Sequence, residues 1–86
     1  MKRYRRKSRE VEAVQFTGEP SDEIEVWLGD AFESWLPSRS MLAIRSGGVE
    51  KYAYVGNWII KGYDGGVHVF TETWFEAEYE PVEEGQ

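Results

Sequence analysis

Cysteine is absent from this chain, which removes disulfides and thiolate metal sites as sources of stability or chemistry. A reducing compartment, the cytoplasm, is the expected location. Histidine occurs once, at His68, too few for a tight transition-metal site. No run approaches the roughly 18 consecutive apolar residues of a membrane span, and the basic start lacks the apolar segment of a signal peptide. A soluble protein with no membrane partner is expected. Cations are scarce after position 9: only Arg39, Arg45, Lys51 and Lys61 remain, against sixteen acids.

The present residues complete the picture. Lys2, Arg3, Arg5, Arg6, Lys7 and Arg9 crowd the first nine positions, so residues 10–86 carry −12 within a whole-chain charge of −6. A body of that charge repels phosphate backbones, and nucleic acid is not an expected partner. The arm itself has two readings. It can grip phosphates, with Tyr4 free to stack on a base. Alternatively it extends the first strand and lies beside the acidic C-terminus, Glu78, Glu80, Glu83 and Glu84. The 86 residues divide into a basic arm (1–9), one small β-rich domain (10–82) and an acidic tail (83–86). Thirteen aromatics supply large apolar areas for a core that has no covalent help.

Glycine punctuates short elements. Residues 11–17 read as a strand ending at Gly18. Pro20-Ser21-Asp22-Glu23 is a helix start: the Ser21 hydroxyl can accept from the first-turn amides, and the acids favour the positive end of the dipole. Ile24, Trp27 and Leu28 share one face, and Gly29 offers a stop. Continuation through Ala31, Phe32 and Trp35 is disfavoured by about 1 kcal/mol at the glycine, so 30–40 reads as a loop. Strands follow over 41–45, 49–55, 58–61 and 67–70, joined by turns at Gly47-Gly48, Gly56-Asn57 and Asp64-Gly65. Thr71 starts a helical turn, and 78–82 extends as a last strand. The class is α+β, mainly β: a small strongly bent antiparallel sheet or an SH3-like partly open barrel, with one short helix (about 21–29) and a helical turn near 71–76.

Three blocks recur as a set: Val11-Glu12-Ala13-Val14-Gln15-Phe16-Thr17-Gly18, then Gly56-Asn57-Trp58-Ile59-Ile60-Lys61-Gly62, then Trp74-Phe75-Glu76 with Tyr79-Glu80-Pro81-Val82. With the basic start, they resemble a family of small bacteriophage- and prophage-encoded proteins, mostly uncharacterised, over about half of the positions. Asn57 stands where that family usually carries Asp, and Val67-His68-Val69-Phe70 replaces a segment that often holds a cysteine. The resemblance implies a phage genome context and no particular activity. In a turn, Asn and Asp serve alike, because either side chain can bond nearby backbone amides. Trp58 and Ile60 point to one face and Ile59 and Lys61 to the other, so both faces need cover, one of them from the helix bearing Ile24, Trp27 and Leu28.

Catalysis is not expected. His68 sits in an alternating strand, and the pairs Asp22/Glu23 and Glu76/Glu78 lie at a helix start and on a charged face. Gly47-Gly48 and Gly65-Gly66 lack the lysine and hydroxyl of a phosphate loop. No catalytic, metal or cofactor residue is assigned. The leading expectation is a non-enzymatic phage accessory protein that binds and modulates a host bacterial protein through aromatic and acidic surface. Trp35, beside Leu36-Pro37, and Tyr63, beside the Asp64-Gly65 turn, are the aromatics least needed by a core. One alternative is an oligomeric sponge for a nucleotide or other small phosphate ligand, gripped by Arg3, Arg5 and Arg6 or by Arg39 and Arg45. Another is a minor virion or assembly protein. Exposed strand edges also make a homo-oligomer an expected partner state.

Overall fold

The computed structural model describes residues 2–7, 9–19, 21–62 and 64–82. Among these, strands β1 (Lys2–Arg6), β2 (Arg9–Gln15), β6 (Trp58–Lys61), β7 (Val67–Phe70) and the two-residue β8 (Glu80–Pro81) form a five-stranded sheet in the order β7-β6-β2-β1-β8. Strands β3 (Phe32–Leu36), β4 (Met41–Ser46) and β5 (Val49–Tyr54) form a second sheet in chain order. Every pairing is antiparallel. Helix α1 (Asp22–Leu28) precedes β3, and helix α2 (Glu72–Glu78) links β7 to β8. The α+β, mainly β class is as the sequence implied, and the sheets do not close into a barrel.

The local signals explain the elements. The Ser21 hydroxyl accepts from the Ile24 amide at 3.2 Å, and Gly29 ends α1 at φ 57°, a left-handed geometry that glycine adopts without steric cost. Thr71 caps α2 in the same way, accepting from the Trp74 amide at 3.3 Å. This helix runs through Glu78, past the single turn expected near 71–76. At the crossing from β5 to β6, Asn57 Oδ1 accepts from the Tyr54 amide at 2.9 Å. Only the acceptor oxygen is used, the atom that aspartate would share.

Strand β6 organises the layers. Ile59 is fully buried in the larger cluster, with Phe16, Ile24, Leu28, Leu42, Ile44, Ala53 and Val67, between the sheets and under α1. Its neighbour Ile60 points the other way, into a second cluster with Ala13 and Phe75 of α2. The helix pairing read from the sequence holds: Lys61 Nζ donates to the Trp27 carbonyl at 2.9 Å and lies 5.9 Å from the centre of the Trp27 ring. Trp27 Nε1 in turn donates to Glu12 Oε1 at 3.0 Å. On the opposite face, the Trp58 ring stacks on Phe75 at 4.1 Å, with Tyr4 edge-on to both. That second face is covered by α2 rather than by a barrel interior.

The corner between the sheets shows how closure stops short. The edge of β7 is met by side chains of the other sheet in place of a ladder: Ser46 Oγ accepts from the Val67 amide at 2.9 Å, and Lys51 Nζ donates to the Val67 carbonyl at 2.8 Å. These bonds satisfy backbone groups that an unpaired edge would expose.

Three substitutions at two positions test this layering. Trp58→Ala should lower the unfolding free energy by about 3 kcal/mol and Trp58→Phe by about 1 kcal/mol. The smaller cost follows because the buried Trp58 Nε1 has no hydrogen-bond partner to lose among the described residues. Trp27→Ala should cost about 2 kcal/mol through lost packing and the Glu12 bond. Urea denaturation followed by circular dichroism measures all three, and a Trp27→Ala loss under about 0.5 kcal/mol would contradict the packing of α1.

Candidate functional site

The basic arm is strand, not tail. Residues Lys2–Arg6 pair along β2, and Tyr4 and Arg5 also pair with Pro81 and Glu80 of β8. Strand alternation sends Tyr4 into the second cluster, so its ring packs on Trp58 and Phe75 and is not free to stack on a base. The cations meet carboxylates. Arg5 donates from Nε at 3.0 Å and Nη2 at 2.7 Å to Glu80 Oε1. Arg6 pairs with Glu78 at 3.1 Å while its guanidinium lies 5.3 Å from the centre of the Trp74 ring, and Arg3 reaches Glu10 at 3.4 Å. The arm does lie beside Glu78 and Glu80, but it does not extend the first strand: it is a separate strand that folds back antiparallel on β2 after the turn at Lys7. Glu83 and Glu84 lie outside the described residues.

The remaining candidates are scattered. Trp35, expected in a loop, lies in β3 opposite Leu42 and sets its ring edge-on to Phe16 at 5.5 Å, half-buried against the larger cluster. A bulge between Phe32 and Ser34 explains the misreading. It places Phe32 and Trp35 on the same face three residues apart, a helical spacing in a strand. Arg39 is exposed in the short 3-10 turn Pro37–Arg39. Arg45 lies on the outward side of β4, and Tyr63 lies outside the described residues. Arg3, Arg5 and Arg6 share β1, whereas Arg39 lies in the turn before β4 and Arg45 on β4.

Among the described residues, the most exposed aromatic surface is one the sequence did not single out. Glu50, Tyr52 and Tyr54 alternate outward from β5, because Ala53 between the tyrosines is fully buried in the larger cluster. Their register partners are Arg45, Ala43 and Met41 of β4, with Ser34 and Leu36 of β3 beyond. Met41 and Ala43 are sunk to 6% and 3% exposure, while Tyr52 and Tyr54 stand at 40% and 52%. Val55, just past the strand end, is exposed as well. The alternation was legible, but an alanine against two tyrosines gave no sign of which side faces the core.

A charge cluster rims this face. Arg45 binds Glu33 Oε1 at 3.0 Å and Glu50 Oε2 at 2.8 Å, and the Tyr52 hydroxyl donates to Glu50 Oε1. That hydrogen bond holds the Glu50 carboxyl below its ordinary range and the Tyr52 phenol above its own, since it favours carboxylate and protonated phenol together. The Glu33 carboxylate strengthens the charged form of Arg45. His68 is exposed on β7, its Nδ1 3.3 Å from Lys51 Nζ. No group of three or more His, Asp or Glu residues able to hold a metal occurs among the described residues, nor is any helix there long and apolar enough to cross a membrane.

Two measurements follow. A double-mutant cycle on Arg5→Ala and Glu80→Ala should give a coupling of about 0.5 kcal/mol that shrinks with added salt, because the pair is exposed. In a spectrophotometric phenol titration, Glu50→Gln should move one tyrosine downward toward the ordinary value, and Tyr52→Phe should remove that same component.

Compared with known protein families, with curated proteins and with solved structures, the chain finds no match.

Proposed function

We propose that this chain is a non-enzymatic accessory protein of the phage type that binds and modulates a host bacterial protein, docking through the outer face of β3-β4-β5. The observation that carries the reading is the pair Tyr52 and Tyr54, exposed side by side above Met41 and Ala43. Tyrosine supplies contact area at low entropic cost, and exposed aromatics beside an aliphatic floor are the make-up of interface centres. The resemblance to phage proteins supports the genome context, and the absence of cysteine suits the host cytoplasm.

Charge decides what kind of surface fits. Residues 10–86 carry −12, and Glu33 and Glu50 stand at the rim of the patch. A basic protein surface is attracted to such a body at long range, and its association rate rises as ionic strength falls. Apolar contact at the tyrosines then supplies the residence time.

The test is affinity capture from host lysate, followed by binding measurements on the purified partner. A single stoichiometric partner with a basic surface is expected, its affinity falling by about ten-fold or more on Tyr54→Ala and its on-rate falling with salt. A partner retained at full affinity by the Tyr52→Ala/Tyr54→Ala double variant would overturn the docking face.

A further inference from the structure

The opposite side of the molecule carries a groove with a different chemistry. Helix α2 has seven residues, and it covers the Trp58 end of the five-stranded sheet through Phe75. The far end of that face is left open. A cleft of about 570 Å³ runs there between the end of α2 and the β1–β2 turn, within the size range of small-ligand sites. Val11 of β2 and Ile60 of β6 make its apolar floor, with the bare backbone of Gly62 beside them. The rings of Phe70 and Tyr79 stand at the helix side.

These rings are held in place by others. Phe70 stacks on Trp74 at 4.3 Å, and Tyr79 stacks on Phe75 at 4.9 Å with 10° between planes. The groove therefore has rigid aromatic walls on a strand floor. Cations share the lining: Arg6, which also lies over Trp74, with Lys7 and Arg9, alongside His68 and the acid Asp64. Three of the ten basic residues of a strongly acidic chain thus converge on one cleft.

Lys7 adds an independent observation. Arg6 and Arg9 are register partners, and Lys7, in the turn that follows Arg6, takes φ 59°. Glycine or asparagine adopts that geometry at lower cost, and a lysine there costs about 1 kcal/mol. The lysine places an ammonium beside two guanidiniums at the mouth of an apolar cleft.

We infer that this groove binds a small anion bearing a flat aromatic ring, of the aryl phosphate or nucleotide class, with the ring over Val11 and Ile60 and the anionic group among Arg6, Lys7 and Arg9. Of the cations that sequence reasoning offered for phosphate, only Arg6 lines this groove. Its charge is shared with Glu78, so Lys7 is the cation whose removal tests the groove. The site is separate from the tyrosine face, which lies on the outer side of the other sheet, and either assignment can fail without the other.

The test uses 4-nitrophenyl phosphate, inorganic phosphate and neutral benzyl alcohol as probes, titrated by calorimetry and by amide chemical shifts. The aryl phosphate should saturate with a Kd below about 1 mM and bind about ten-fold or more tighter than either fragment, with shifts at Val11, Ile60, Phe70 and Tyr79. Lys7→Gly relaxes the turn while deleting the charge, so it should weaken binding by about ten-fold with the melting temperature unchanged or raised. Lys7→Asn, which also tolerates the turn, should behave alike, and Arg39→Ala, outside the groove, should keep full affinity. Absence of saturation, inorganic phosphate binding as tightly as the aryl phosphate, unchanged affinity in Lys7→Gly, or an equal loss in Arg39→Ala would each overturn the assignment.

Discussion

Ile59 and Ile60 are consecutive residues of one strand, and both are almost wholly buried. Strand geometry sends them to opposite faces, so the sheet containing them needs apolar cover on both sides. Everything else in the fold answers that requirement. One face receives α1 and the three-stranded sheet, and the other receives α2 with its aromatic stack. A chain this short has little core to divide between two layers, and large rings make the second one sufficient. Trp58, Phe75, Tyr4 and Tyr79 fill a space that a few aliphatic residues could not.

The same constraint decides where surface chemistry can lie. With both faces of the central sheet engaged, the uncovered surfaces are the outer side of β3-β4-β5 and the part of the second face beyond the end of α2. The first carries tyrosines and a carboxylate-rich rim. The second carries cations around an apolar floor. The uneven charge of the sequence is thereby partly conserved in space, with the basic turn lining the groove and the acids spread over the rest. Part of the basic arm is spent internally, on Glu78 and Glu80.

Much of this architecture was legible because its signals were local. Ser21 and Thr71 marked helix starts, Gly47-Gly48 and Gly56-Asn57 marked turns, and the apolar runs after Gly56-Asn57 and Gly65-Gly66 gave β6 and β7 with correct bounds. The misreadings have physical causes. In β3 the bulge at Glu33 replaced period two with a three-residue spacing, so a strand looked like loop or helix. In β1 no glycine marks the turn at Lys7, so a separate strand folded back on β2 read as an arm or as an extension of β2, and its one aromatic, Tyr4, does the packing. In β5 the inward residue is an alanine, and nothing local marks the tyrosines opposite it as surface. The groove was illegible because its residues come from β1, β2, β6, β7 and the residue after α2, a convergence that no single stretch of sequence displays.

Strand β1 pairs with β8 across a separation of 75 residues between Arg5 and Glu80, and the Val82 amide donates to the Arg3 carbonyl at 3.1 Å. Loop-closure entropy rises by about 0.6 kcal/mol per doubling of length, so joining these segments costs about 2–3 kcal/mol more than closing a four-residue hairpin loop. The β4–β5 hairpin can form early, whereas the β1–β8 seam waits until the intervening layers have brought its halves together. During synthesis β1 leaves the ribosome well before β8. Until then the edge of β1 that β8 will cover stays open, a row of unpaired amides and carbonyls flanked by arginines whose like charges discourage another copy from adding to it.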